Sequence, residues 1–257
     1  MTGLNRKKTL VALLALAMAP LAQADSGYSV SVGGEYTRGD YGTGSNVSLL
    51  SLPVKLEYVD ERYAWSIGVP YLWVSGPGDV VVSGSGMGRL SPTNTRTTSR
   101  TDSGVGDITA SATLRLWEEG PRRPWAALTA KVKFGTADEA SRLGTGENDY
   151  ALQLELARQA VYGHVGYKVL GDPAGIEYDN IWYGGVGVDF PVGREVDGGV
   201  ELYAEQEALS GIDGKRELTF YLGQQMERAT RITGHLMMGL SDASPDWGAG
   251  VTLRFDL

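Results

Sequence analysis

From Asp107 to Leu116 the chain takes turns. Ile108, Ala110, Ala112, Leu114 and Leu116 fall on one side of an extended backbone, and Asp107, Thr109, Ser111, Thr113 and Arg115 on the other. A period of two is the mark of a β-strand with one apolar and one polar face. Only two architectures use such a strand repeatedly without helices. In a soluble sandwich the apolar face is the core. In a transmembrane barrel it meets lipid, and the polar face lines the interior.

The pattern recurs along the chain. Alternating segments cover about 28–37, 47–58, 63–74, 104–117, 124–135, 148–157, 160–170, 180–192, 198–207, 215–226, 231–240 and 246–257, roughly a dozen strands of the ten-residue length that crosses a bilayer when tilted. No segment carries a helical period, and AEQEALSG at 204–211 reads as a strand running into a loop. Connections alternate between short charged turns (Asp60-Glu61-Arg62, Glu118-Glu119-Gly120-Pro121, near Arg158, Arg194 to Asp197, Glu227-Arg228-Ala229) and longer polar ones at 39–46, 75–103, 136–147, 171–179, 209–214 and 241–245. That asymmetry matches the periplasmic and extracellular ends of an outer-membrane barrel.

Two further patterns favour lipid over a sandwich core. Tyr63, Trp65, Tyr71 and Trp73 share one face of a strand with Ile67 and Val69 between them, as two interfacial girdles would around an aliphatic band. The terminal segment places Trp247, Ala249, Val251, Leu253, Phe255 and Leu257 on one face. It resembles the last strand of bacterial outer-membrane barrels, although those usually end on an aromatic residue.

At the other end, Arg6, Lys7 and Lys8 precede the apolar run Leu10 to Ala19, and Ala22-Gln23-Ala24 supplies a small-x-small cleavage site. Residues 1–24 therefore read as a signal peptide and 25–257 as the barrel. The chain lacks cysteine, which excludes disulfides, thiolate metal sites and a lipid-modified cysteine. Its formal charge is −8 and the leader holds only cations, so the mature surface is more acidic still and repels nucleic acid. Outer-membrane lipid, a small-molecule solute and the barrel assembly machinery are the expected partners.

The interior face is predicted to carry Lys55, Glu57, Asp107, Arg115, Lys131, Lys133, Gln153, Glu155, His164, Lys168, Tyr183, Asp189, Glu201, Tyr203, Glu205, Glu217, His235 and Arg254. Such residues line a conduit for a small polar or amphipathic solute, or they pair with one another and plug the barrel, since an unpaired charge in a narrow interior is costly. Both readings stay open at this point. The glycine-rich stretch 75–103 offers Arg89, Arg96 and Arg100 as candidates for a gate folded into the lumen, or it is a mobile loop.

Catalysis fits less well. His164 in VYGHVGYK and His235 in TGHLMMG have no serine two positions on, and a nucleophile needs a base within hydrogen-bond reach. Gly84-Ser85-Gly86-Met87-Gly88 lacks the Gly-Lys-Ser/Thr of a phosphate loop. With two histidines and no cysteine, neither a metal nor a cofactor is expected.

SGVGDITASATLRLW (103–117), IGVPYLWVSGPG (67–78) and NIWYGGVGVDFPV (180–192) together resemble a family of outer-membrane barrels assigned to transport in the meta pathway of phenol degradation. In that family a Gly-x-Gly-Asp unit opens a strand after a long loop; here it is Gly104, Gly106 and Asp107. The resemblance implies transport of small molecules, hydrophobic or aromatic ones among them. From the residues themselves, Asp107 is expected to accept backbone amides at the loop end and fix where its strand begins. The expectation is a single all-β, antiparallel up-and-down transmembrane barrel of about 12 strands, acting as a passive channel without energy coupling. A barrel enzyme acting on lipid and a closed structural or adhesion barrel are the alternatives.

Overall fold

A computed structural model describes residues 26–41, 46–77, 80–82, 90–92, 99–227 and 229–257. The expected signal peptide, residues 1–24, lies outside the described residues. The strands are β1 (Gly27–Gly39), β2 (Val47–Val59), β3 (Tyr63–Pro77), β4 (Val80–Val82), β5 (Leu90–Pro92), β6 (Ser99–Val105), β7 (Ile108–Trp117), β8 (Trp125–Phe134), β9 (Asp149–Arg158), β10 (Val161–Val169), β11 (Ile181–Pro191), β12 (Val196–Glu205), β13 (Arg216–Glu227), β14 (Thr230–Gly239) and β15 (Trp247–Asp256).

Neighbours in sequence pair antiparallel around the wall, and β15 returns to β1 with Ser29 opposite Asp256 and Arg38 opposite Trp247. With β2 on β3 and β3 on β7, twelve strands close on themselves, and β6 extends the sheet along the far half of β3. Closure pairs each of the twelve wall strands on both sides, the condition for a sheet to stand in hydrocarbon, while β6 is paired along β3 alone.

The opening alternation resolves in favour of lipid outside. Val165 in mid β10 is 47% exposed and Leu222 in mid β13 is 56% exposed, while the polar Gln153 and Thr129 are wholly buried on the inner face. Aromatic clusters bracket this band. At the short-turn end Tyr58 lies 4.8 Å from Tyr28 and 5.9 Å from Tyr63. At the long-loop end Tyr36 meets Trp247 at 5.4 Å, Tyr71 meets Trp73 at 4.5 Å and Tyr167 meets Trp182 at 5.1 Å.

One element departs from expectation. The segment 104–117 is not one strand: β6 and β7 meet at Gly106-Asp107, where three residues face the two residues Val69 and Pro70 of β3. Pro70 has no N–H for the ladder, so a bulge at its partner costs little. Gly106 donates its N–H to the Pro70 carbonyl at 2.9 Å. A Cβ on Gly106 would lie 2.8 Å from Leu72 Cδ1, so the kink fits tightly against β3.

The interior is packed by alternation across strands. One row of paired residues runs Glu217, Tyr203, Gly185, His164, Glu155, Ala127 and Arg115 from β13 to β7. Another runs Glu35, Gly250, His235, Tyr221, Gly199 and Asp189 from β1 to β11. A large ring beside a glycine recurs: a Cβ on Gly185, Gly250, Gly199, Gly187 or Gly166 would fall within 3.0 Å of His164, His235, Tyr221, Tyr162 or Tyr183 respectively. Each ring lies flat over the strand next to it, which is how a barrel of this size accommodates aromatic side chains inside.

Candidate functional site

The inner surface has two unlike walls. From β15 through β7 small groups recur, among them Gly250, Ser31, Gly33, Ser51, Gly68 and Ser111, interrupted by Glu35, Lys55, Glu57, Arg115 and Arg254. From β8 to β14 it carries long polar and aromatic side chains in linked clusters. Lys131 Nζ donates to Gln153 Oε1 at 2.9 Å, Gln153 Nε2 to Glu155 Oε1 at 2.7 Å, and Thr129 to the same carboxylate oxygen at 2.8 Å. Lys168 Nζ reaches Glu205 Oε2 at 2.7 Å and sits 4.8 Å from the Tyr183 ring centre. Tyr162 donates to Glu201 at 2.8 Å, and Tyr221 to Asp189. Near the short-turn end Glu57 accepts from Lys55 at 2.6 Å and from Arg254 at 2.8 Å, Arg115 pairs with Glu118, and Arg231 grips Asp197 with 2.6 Å to each oxygen.

Of the residues singled out from the sequence, Glu57, Asp107, Lys133, Gln153, Glu155, His164, Lys168, Tyr183, Glu201, Glu217 and His235 are buried. Among the described residues Lys131 donates to Gln153 rather than to a carboxylate, and His164 and His235 have both ring nitrogens buried without a hydrogen-bond partner. His164 instead stacks on Tyr203, 6.1 Å between centres. Glu217 and Glu205 stand on β13 and β12 beside the long loops. Of the three gate candidates, Arg89 and Arg96 lie outside the described residues, and Arg100 donates its Nε to Asp102 at 2.6 Å.

A connection that the sequence marked only as one of the longer loops packs against the inner face at the long-loop end. The β8–β9 connection, residues 135–148, folds inward and seats Ala137 and Leu143 on Tyr41, Val47, Leu49, Leu72 and Val74, all buried. This cluster has more buried apolar members than those around Ile181, with Leu170 and Tyr178, and around Trp125, with Val59 and Ala127. Its neck is held by Lys133, which is fully buried with Asp107 at 2.8 Å and Asp149 at 3.3 Å and donates also to the Glu147 carbonyl at 2.9 Å. Asp107 uses its other oxygen to accept the amides of Thr136 at 3.1 Å and Ala137 at 3.0 Å. Asp107 thus caps amides as anticipated, but those of the neighbouring 135–148 loop rather than of its own.

At the tip, Arg142 Nε donates to Asp102 at 2.9 Å. Tyr41 shares a 3.0 Å hydrogen bond with Thr37 beneath the loop. Burial, with the carboxylates of Glu217, Glu35 and Asp246 adding to it against that bond, pushes its hydroxyl up to about 12. It therefore stays neutral and contributes fully to stability below its ordinary value, and that contribution fades as pH climbs toward 12.

A family model described as "Putative MetA-pathway of phenol degradation" matches residues 23–257. No curated relative matches the sequence. Among solved structures, an outer membrane channel from Pseudomonas putida F1 superposes with a TM-score of 0.72 at 13% identity, over 94% of this chain and 100% of that one. The translocator domain of the autotransporter NalP from Neisseria meningitidis gives 0.53 at 11% identity, over 92% and 91%. The toluene transporter TbuX from Ralstonia pickettii gives 0.50 at 10%, over 91% and 90%. At such identities the likeness is one of fold, and that fold serves solute channels and protein translocators alike.

Proposed function

The chain belongs to the family so described, and on that premise we propose that it is a passive channel of the bacterial outer membrane for small hydrophobic aromatic solutes. The observation that carries the reading is the pair of unlike walls. Along β15 to β7 Glu35, Lys55, Glu57, Arg115 and Arg254 are the long polar side chains among serines and glycines, fewer than those of β8 to β14 opposite them, so the lumen is not filled evenly from both sides. The toluene transporter TbuX shares the fold, and the apolar patch under the 135–148 loop gives a hydrophobic solute somewhere to leave water.

A catalytic role has less support. Among the described residues neither histidine has the hydrogen-bonded serine or carboxylate that would make it a general base. The terminal strand, with Trp247, Val251, Leu253 and Phe255 exposed on one face, suits recognition by the barrel assembly machinery before insertion.

The test is uptake. Gram-negative cells expressing the full chain should accumulate ring-labelled toluene several-fold faster than cells carrying an empty vector. Equal rates at equal surface expression would overturn the proposal, and silence in planar bilayers as well would favour a closed structural barrel.

A further inference from the structure

The 135–148 segment has the build of a lid. Its two ends lie against each other, so that a Cβ on Gly135 would run into the backbone of Gly146, which itself adopts φ +72°. A compact loop on a narrow neck is an Ω-loop, packed by its own contacts. Here those contacts are Ser141 to Asp138 at 2.6 Å, the Ala140 amide to Asp138 Oδ1 at 3.1 Å, and the Arg142 amide to the Glu139 carbonyl at 2.8 Å. Because these bonds are internal, the tip can lift without unfolding.

Neck and tip are fastened differently. The neck is bound by the buried Asp107, Lys133 and Asp149 cluster, which reaches Thr136, Ala137 and Glu147. The tip is held to the wall by the Arg142 to Asp102 pair, by the bond from Arg100 Nη2 to the Ala140 carbonyl at 3.4 Å, and by the packing of Leu143. Arg142 also sits at φ 59°, in the left-handed region that a residue with a Cβ enters at a cost. Strain of this kind persists where surrounding contacts enforce it and is relieved when they let go.

What the tip covers has a definite chemistry. Val47, Leu49, Leu72 and Val74 project into the lumen, where neighbouring inward positions are serine, threonine, proline, glycine or charged. Leu143 fills the space above them and is 1% exposed. Gly104 leaves it room, since a Cβ there would come within 2.7 Å of Leu143 Cδ1. A branched aliphatic group is thus tethered over a patch that a single apolar ring could cover equally well.

We infer that residues 135–148 form the extracellular lid of the passage, and that Val47, Leu49, Leu72 and Val74 beneath it are the first binding site of an apolar one-ring solute, occupied by Leu143 while the lid is closed. The inference rests on the reading of the barrel as a channel. A solute that binds this patch only when Leu143 has left it must shift the population toward the open lid. A polar ring of the same size must not.

Single-channel recording of the full chain in planar bilayers tests both halves. Arg142→Ala, which removes the latch but keeps the Cβ and so the backbone strain of the closed lid, should raise the fraction of time open several-fold. A Gly104→Cys, Leu143→Cys pair, in a chain that otherwise lacks cysteine, should be silent when oxidised and conduct on reduction. For the unmodified protein, p-xylene should raise the open fraction and 1,4-dioxane should leave it alone. If the oxidised pair conducts like the reduced one, the loop is not the lid. If p-xylene and dioxane act alike, the patch is not the solute's site. Should even a variant without residues 136–147 stay silent while correctly inserted, the channel reading itself fails and takes this inference with it.

Discussion

At the residue scale, the interior is governed by whether each charge has a partner. Lys133 is the clearest case, with its ammonium and both facing carboxylates at zero side-chain exposure. Such a cluster contributes little net stability when intact, because desolvation offsets the attraction, but breaking it leaves a buried charge uncompensated at about 3–5 kcal/mol. Asp107→Ala would also strip the acceptor from two loop amides. It should therefore lower the urea midpoint of the folded barrel in detergent by an amount equivalent to several kcal/mol, whereas Asp107→Asn, which keeps an acceptor oxygen, should cost less. Matching midpoints for the alanine variant and the parent protein would mean that Asp149 alone satisfies Lys133.

At the element scale, strands are set by alternation and fitted to one another by glycine. His235 lies over Gly250, its direct partner on β15, and nothing polar fixes the ring. Gly250→Ala should thus displace the imidazole and lower refolding yield, and His235→Ala in the same chain should restore most of the loss, because the two positions compete for one volume. Additive losses would show that Gly250 is needed by the backbone instead. The twelve wall strands were legible because each must carry an apolar face to lipid, a demand written in every second residue. The strand β6 was not, since Ser99, Thr101 and Ser103 alternate with Arg100, Asp102 and Gly104 and neither face is apolar. Parity alone picked out the candidate lumen residues, and Glu35, Asp149 and Asp197, which have the same parity, were passed over. The lid was illegible for a different reason. Leu143 and Ala137 pack on residues roughly 65 to 95 positions away, across β2 and β3, and no local pattern announces a contact that only closure of the barrel creates.

At the scale of the whole molecule, one solvent relation organises everything else: hydrocarbon outside, water and paired charge inside. The outer band should therefore punish charge according to depth. Val165 stands midway along β10 and Trp182 near the aromatic girdle at the long-loop end of β11, and they are 47% and 55% exposed. By exposure alone, arginine at either site should be equally harmless. In a bilayer, arginine at the midplane costs about 2–4 kcal/mol and falls to about 0–1 kcal/mol near the interface. Reversible folding of Val165→Arg and Trp182→Arg into lipid vesicles should reveal that gap, with the midplane variant the worse by a factor of about ten or more in the folding equilibrium. The same pair in detergent micelles, which have no fixed midplane, should differ much less. Equal penalties in vesicles would mean that the band between the aromatic clusters is not the lipid-facing one, and the assignment of inside and outside from which the lumen and its lid are read would fall with it.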